Sequence, residues 1–161
     1  MNDIVEATIE IPMGTKNKYE IDKKSGRIKL NRVQYASMTY PAEYGFIDNT
    51  LSPDGDPLDI LVLTSEPTFP GCVMDAKIIG VLKTVDNGFE DNKIISVNYV
   101  DPRYDTINSL EDLNPHILEE IKHFFQNYKV LQGIKVEVKN FESKEVALDI
   151  LKECQERYKN N

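Results

Sequence analysis

Asp54-Gly55-Asp56-Pro57-Leu58-Asp59, followed by Ile60-Leu61-Val62-Leu63, places three carboxylates directly before a strongly apolar run. Two unit charges about 4 Å apart repel by about 4 kcal/mol at an effective dielectric of about 20. Acids that converge at the mouth of a core strand therefore indicate a bound cation, and Mg²⁺ takes carboxylate and phosphate oxygens. The alternative is an acidic turn, since Asp, Gly and Pro all favour turns.

The spacing within this stretch predicts which carboxylates meet. Asp54 and Asp56 share a face because side chains alternate along an extended chain. Asp59 would fall opposite on a regular strand, but Gly55 permits unusual dihedrals and Pro57 lacks an amide donor. An irregular start would bring Asp59 round to the same site.

Length and charge bound the function. At 161 residues the chain is expected to form a single domain spanning residues 1–161. A formal net charge of −8 argues against nucleic-acid and anionic-membrane partners, which need basic surface.

Met1-Asn2-Asp3 lacks the character of a secretory signal, and Cys72 and Cys154 lack metal-ligand or redox spacing. Buried reduced thiols and a cytoplasmic location are expected.

Patterns of apolar residues predict several strands and turns. The predicted strands are Val5–Ile11, Tyr19–Ile21 with Arg27–Arg32 as a hairpin, Leu58–Leu63, Val73–Val85 with a bend at Gly80, Lys93–Val100 after an Asn87-Gly88 turn, and Ile134–Phe141. The aromatic stretch from Tyr40 to Phe46 is interpreted as turn-rich packing.

Helices are predicted only late in the chain. Asn114-Pro115 is a good cap and first turn, and a second helix begins near Ser143. Strands followed by helices indicate an α+β fold, a small antiparallel barrel covered by helices. The favoured topology is a five-stranded OB-like β-barrel with two C-terminal helices packed outside.

A second acidic cluster lies at the later hairpin, where Asp86, Glu90 and Asp91 precede Lys93. Asp91 and Lys93 share a strand face because side chains alternate. The alternative interpretation is a solvated hairpin loop.

Arg32 falls on the apolar face of its strand, with Ile28 and Leu30. An arginine there needs either an anionic partner or an exit to solvent at the strand end. From pattern alone, Lys18 and Glu20 form a solvated face. Tyr128 belongs to a helical apolar stripe, so its default role is packing.

Carboxylates, cations and tyrosines together suit one class of ligand. Metal ions can bridge the carboxylates to a phosphate compound, while Lys, Arg and Tyr hold its free oxygens. Two metals about 4 Å apart can also generate hydroxide near neutral pH. The sequence contains neither a Walker-type loop nor a Rossmann fingerprint, which disfavours nucleotide binding by those devices.

The hexapeptide Asp54–Asp59 resembles the signature of the family I soluble inorganic pyrophosphatases, prokaryotic type. The similarity covers residues 6 to 158, nearly the whole chain. The other matching segments, in family order, are Ile9-Glu10-Ile11-Pro12, Lys18-Tyr19-Glu20-Ile21-Asp22, Arg32, Tyr40-Pro41, Tyr44-Gly45, Gly80-Val81-Leu82, Asp86, Glu90-Asp91, Lys93, His123-Phe124-Phe125 and Tyr128-Lys129.

This resemblance implies Mg²⁺-dependent hydrolysis of pyrophosphate, with several ions per active site and Mn²⁺ or Zn²⁺ as substitutes. It implies metal positions at Glu10, Asp54, Asp59, Asp86 and Asp91, and a general base at Asp56. The implied phosphate contacts are Lys18, Arg32, Tyr44, Lys93, Tyr128 and Lys129, with Glu20 and Tyr40 in supporting positions. It also implies a homo-oligomer, with a hexamer favoured. Asn87 stands where many relatives carry an acid, which puts any metal-linked role of position 87 in doubt.

Three other functions compete with this one. A nucleic-acid-binding barrel needs a basic groove with interleaved aromatics, which the acidic balance opposes. An EF-hand loop from Asp54 would need Gly and an acid where Asp59 and Ser65 stand. A hydrolase of another phosphoanhydride, such as a nucleotide or polyphosphate, stays open.

Overall fold

The computed structural model describes residues 2–161 as strands and two long helices joined by short 3-10 turns. The strands are β1 (Ile4–Ile11), β2 (Asn17–Ile21), β3 (Ile28–Val33), β4 (Glu43–Ile47), β5 (Leu58–Leu63), β6 (Val73–Asp86), β7 (Phe89–Glu90), β8 (Lys93–Asn98) and β9 (Glu137–Glu142). The helices are α1 (Pro115–Asn127) and α2 (Lys144–Lys159).

Five strands close into a ring in the order β1-β4-β5-β8-β6, because β6 also pairs with β1. Four of these pairings are antiparallel, whereas β5 and β8 run parallel. The prediction of an antiparallel sheet is therefore wrong at this one pairing. The parallel register sets Asp59 directly beside Lys93.

The remaining strands extend or flank this ring. Strand β9 pairs with β6, and β2 with β3 forms a separate two-stranded sheet. The Asn87-Gly88 turn is confirmed, since both residues have positive φ, at 53° and 82°. A register shift between Ile78 and Gly80 confirms the predicted irregularity in β6.

Several strand ends differ from prediction by one or two residues, and two differences are larger. Strand β4 was missed because buried residues line nearly its whole length, so no apolar–polar alternation marks it. Strand β9 begins at Glu137 rather than Ile134, which is 42% exposed.

Apolar side chains fill both faces of the ring. Leu58, Ile60 and Val62 of β5 join a cluster that includes Ala147, Leu151 and Cys154 of α2. Leu61 and Leu63 point the other way, into a cluster with Ile121, Phe124 and Phe125 of α1. Since side chains alternate along a strand, α1 and α2 pack against apolar side chains from opposite faces of β5.

Both helices begin as the sequence predicts. The Asn114 side chain accepts a hydrogen bond from the His116 amide, and the Ser143 side chain accepts one from the Val146 amide. Within residues 2–161, neither helix is long and apolar enough to cross a membrane. Cys154 is buried as expected, whereas Cys72 is only partly buried, and both are free thiols.

Candidate active site

One cavity of about 460 Å³ collects every site residue that the sequence predicts. It lies between the β2–β3 hairpin, the ends of β5, β6 and β8, and the end of α1. Its charged lining comprises seven carboxylates, Glu10, Glu20, Asp54, Asp56, Asp59, Asp86 and Asp91, and six cations, Lys16, Lys18, Lys23, Arg32, Lys93 and Lys129.

The centre of the cavity is a buried network around Lys93, whose side chain is 2% exposed. Its ammonium lies 2.6 Å from Asp59 Oδ2, 2.8 Å from Asp91 Oδ2 and 2.9 Å from the Tyr44 hydroxyl. The Tyr44 hydroxyl in turn donates to Asp59 Oδ2 at 2.8 Å. The prediction that Asp91 and Lys93 share a face is confirmed.

Burial shifts the proton affinity of this network. It raises the pKa of Asp59 to about 6, against the opposing effect of Lys93 and with the help of the neighbouring Asp91 charge. Burial alone would raise the pKa of Asp91. The charge and the hydrogen bond of Lys93 outweigh this effect, so the pKa of that carboxyl is lowered. The surrounding carboxylates and tyrosines raise the pKa of Lys93 well above its ordinary value, despite its burial. Lys93 is therefore a fixed positive charge among carboxylates.

The loop before β5 presents the other two acids of the hexapeptide. Gly55 has φ of 91°, a conformation open to glycine, and the Asp56 amide donates to Asp54 Oδ1 at 3.0 Å. Asp54 is half-buried and Asp56 is exposed. Burial is the main cause that raises the pKa of Asp54. This irregular loop brings Asp59 to the same cavity as Asp54 and Asp56, as predicted.

A β-bulge directs Glu10 into the cavity. The register of β1 against β4 runs from Ile9 beside Gly45 to Ile11 beside Tyr44, so Glu10 is the inserted residue. The bulge depends on Gly45, where an added Cβ would lie 1.9 Å from the Thr8 carbonyl oxygen. Glu10 Oε2 accepts from the Ile21 amide at 3.3 Å, and burial raises the pKa of this carboxyl.

The far wall carries Asp86 at the end of β6 and Lys129 just after α1. Their charged groups lie 2.6 Å apart. Glu90, the third acid of the second cluster, lies away from the cavity and beside α2 instead. Tyr128 stacks on Phe124 at 5.1 Å between ring centroids and is 9% exposed, so it both packs and lines the cavity.

The hairpin contributes Lys18, Glu20 and Arg32. Burial, followed by repulsion from Arg32, lowers the pKa of Lys18. Arg32 donates to Gln132 Oε1 at 2.8 Å and to Asn31 Oδ1 at 2.7 Å. Both acceptors are neutral, so they hold the guanidinium without cancelling its charge. The apolar face expected around Arg32 is not buried, since Ile28 and Leu30 are 48% and 49% exposed.

The lining residues fit a hard divalent cation. The acidic side chains of the lining offer carboxylate oxygens, the ligand class of Mg²⁺, and the described lining contains neither His nor Cys. Asp59 is a partly buried carboxylate under repulsion from Asp91, which a bound cation would relieve. With Lys93 between Asp59 and Asp91, no three acidic, His or Cys side chains of residues 2–161 converge closely enough to coordinate an ion.

Sequence reasoning missed four polar residues of the lining, Lys16, Lys23, Gln34 and Gln132. In the folded structure the Lys23 ammonium makes a cation–π contact, 5.6 Å from the centre of the Phe46 ring. Gln132 meets Arg32 from a position 100 residues away, which no local pattern indicates.

Comparisons with known proteins agree on one family. A family model described as inorganic pyrophosphatase matches residues 7–159. The chain is 57% identical over 157 residues to an inorganic pyrophosphatase of Geobacillus stearothermophilus, across 98% of this chain and 95% of that protein. It is 56% identical to that of Halalkalibacterium halodurans, across 97% and 96%. The solved structure of inorganic pyrophosphatase from Thermus thermophilus superposes with a TM-score of 0.93 at 41% identity, across 98% of this chain and 92% of that one.

Proposed function

Since the chain belongs to the inorganic pyrophosphatase family, it is an inorganic diphosphatase, and we propose that its acid-rich cavity hydrolyses pyrophosphate with bound Mg²⁺. One observation carries the assignment of the site: seven carboxylates and six cations line a single cavity. A polyanion bridged by metal ions needs carboxylates that bind the metal ions and cations that bind its own oxygens. A lining of carboxylates alone would suit only the metal ions, and a lining of cations alone would suit only the anion.

The metal ions would be held by Asp54, Asp59, Asp86, Asp91 and Glu10. When bound, such ions lower the pKa of a water ligand and neutralise developing charge on phosphate oxygens. Mn²⁺ and Zn²⁺ would serve as substitutes. The protein's part is to hold these oxygens in place: strand pairing fixes Asp59, the turn at Gly55 fixes Asp54, and the bulge fixes Glu10.

Asp56 would act as the general base. It lies between two metal-ligand positions in sequence, and its exposed side chain borders the cavity. An ionised carboxylate there can accept a proton from an attacking water, the role expected of a positioned base.

The phosphate oxygens would be held by Lys18, Arg32, Tyr44, Lys93, Tyr128 and Lys129. The cations carry only donors, so they bind anions rather than metal ions. Tyr44 and Tyr128 retain their protons, because burial raises the pKa of both hydroxyls. Glu20 and Tyr40 would support this set from the cavity wall.

A direct assay tests this function. Phosphate release from pyrophosphate should require Mg²⁺ and should exceed release from ATP and tripolyphosphate under the same conditions. Hydrolysis of ATP or tripolyphosphate at an equal or greater rate would instead assign the cavity to another phosphoanhydride.

We also propose an architecture, an assembly and a location for the protein. We take residues 1–161 as one domain whose five-strand ring is an OB-like barrel. A homohexamer is supported by half-exposed apolar residues on and after β3, namely Ile28, Leu30, Val33 and Tyr35. Light scattering at micromolar concentration should give six chains, and an 18.4 kDa monomer would contradict this. Two free cysteines support a cytoplasmic location.

A further inference from the structure

The last turn of α2 holds the loop that carries Asp54 and Asp56. Arg157 Nη1 donates to the Leu51 carbonyl oxygen at 2.8 Å, and the Leu51 amide donates to the Cys154 carbonyl oxygen at 3.0 Å. Both backbone groups of Leu51 are therefore bound to this one helix. A hydrogen bond from a guanidinium is also among the stronger kinds.

Ser52 connects the anchored Leu51 to the turn that carries Asp54 and Asp56. The Ser52 amide donates to the Asp56 carbonyl oxygen at 2.7 Å, and the Gly55 amide donates to the Ser52 carbonyl oxygen at 3.0 Å. Ser52 Oγ also contacts Cys154 Sγ at 3.9 Å. A displacement of Leu51 would move Ser52 and, through these two hydrogen bonds, the turn from Asp54 to Asp56.

Asp59 is fixed differently. It lies within β5, between Phe46 of β4 and Lys93 of β8. Its position therefore does not depend on the α2 anchor, and a disturbance of the loop would separate Asp54 and Asp56 from Asp59.

We propose that Arg157, outside the cavity and on the opposite face of the sheet from α1, is a positioning residue that sets the Mg²⁺ affinity of the site. This inference rests on the proposed role of Asp54 as a metal ligand. The simpler alternative is that Arg157 only stabilises α2, since a cation in the last turn of a helix interacts favourably with the helix dipole.

The test compares Arg157→Met with Arg157→Lys, which retains a charged donor, and with Lys152→Met as a control. Lys152 is exposed on the same helix. Mg²⁺ binding to the substrate-free enzyme is measured by calorimetry, and pyrophosphate hydrolysis is measured as a function of Mg²⁺ concentration, both at a temperature where all variants are folded. Arg157→Met should raise the half-saturating Mg²⁺ concentration by about tenfold, which corresponds to the lower end of the strength of one charge-assisted hydrogen bond.

In the same experiment, KM for pyrophosphate at saturating Mg²⁺ should stay near the wild-type value, because the side chains that we assign to phosphate binding do not lie on this loop. Arg157→Lys should recover most of the Mg²⁺ affinity, and Lys152→Met should match wild type. A lower melting temperature with an unchanged Mg²⁺ requirement in Arg157→Met would overturn the inference and leave only a structural role. If Arg157→Met does not fold, Arg157→Gln is measured instead, with the same criterion. Failure of the proposed function is distinguishable, because wild type would then show no Mg²⁺-dependent hydrolysis.

Discussion

The Lys93 ammonium lies 2.6 Å from Asp59 Oδ2, across the parallel pairing of β5 with β8. The same ammonium lies 2.8 Å from Asp91 Oδ2, so it pairs with two carboxylates that we assign to metal binding. A divalent ion held by Asp59 and Asp91 would take over this charge compensation. Lys93 would then be available to bind a phosphate oxygen, which would link metal binding to substrate binding.

This relationship predicts that Mg²⁺ stabilises the fold. A ligand that binds only the folded state at a hundredfold excess over its Kd adds about 2.7 kcal/mol to the free energy of unfolding. We expect the melting temperature in millimolar Mg²⁺ to exceed that in EDTA, with KCl added to equalise ionic strength. An identical melting temperature in the two buffers would count against a preformed metal site.

Asp56→Asn tests the assignment of the general base. The amide preserves the shape of the side chain but cannot accept a proton as a base, so turnover should fall by about 10²-fold or more. Steady-state kinetics at saturating Mg²⁺ measures this fall, and circular dichroism checks that the fold is kept. Turnover near the wild-type value would remove Asp56 from the mechanism.

How far the site could be predicted from sequence depended on how local each feature is. The hexapeptide is contiguous, and its Gly and Pro signal an irregular strand start, so the convergence of Asp54, Asp56 and Asp59 was predictable. The contact of Asp59 with Lys93 joins residues 34 apart through a parallel strand pairing, which no local pattern encodes. For the same reason, the neutral partner of Arg32 at Gln132 was missed.

Strand β4 shows a different limit of sequence reasoning. Buried residues occupy nearly all of its five positions, so the apolar–polar alternation that marks a half-buried strand is absent. Tyr44 and Gly45 instead suggested a turn. Gly45 is required in the strand because the β1 backbone approaches too closely for a side chain, and that closeness belongs to the folded structure alone.

Asp101 predicts a pH dependence of stability away from the cavity. Hydrogen bonds from Ser65, and then from Arg103, lower the pKa of this carboxyl to about 2. An acid whose pKa is depressed in the folded state stabilises the fold above its unfolded pKa of about 3.9. That contribution is lost as the pH falls through the folded pKa of about 2.

Asp101→Asn should therefore melt at a lower temperature than wild type at pH 7, and the difference should narrow between about pH 4 and pH 2. Thermal unfolding followed at several pH values measures the difference. Asp105→Asn, at an exposed acid four residues later, is the matched control and should show a smaller effect at pH 7. A gap between wild type and Asp101→Asn that is constant from pH 7 to pH 2 would contradict the assignment.

We expect metal binding and substrate binding to be separable by mutation. A guanidinium carries only donors and cannot ligate a cation. Arg32 is held by Gln132 and Asn31 rather than by a carboxylate, so its removal frees no acid and disturbs no metal ligand. Arg32→Ala should thus raise KM for pyrophosphate or lower turnover, while Mg²⁺ binding to the free enzyme stays near the wild-type value.

Asp59→Ala should act in the reverse order. It removes a partly buried oxygen donor and leaves Lys93 paired with Asp91, so Mg²⁺ binding should weaken first and activity should fall with it. Calorimetry without substrate measures the metal affinity, and kinetics at saturating metal measures the rest. Arg27→Ala, at an exposed arginine of the same hairpin, and Asp48→Ala, at an exposed acid just after β4, are the controls. Loss of metal binding in Arg32→Ala, or intact metal binding in Asp59→Ala, would show that the two residues have been assigned each other's role.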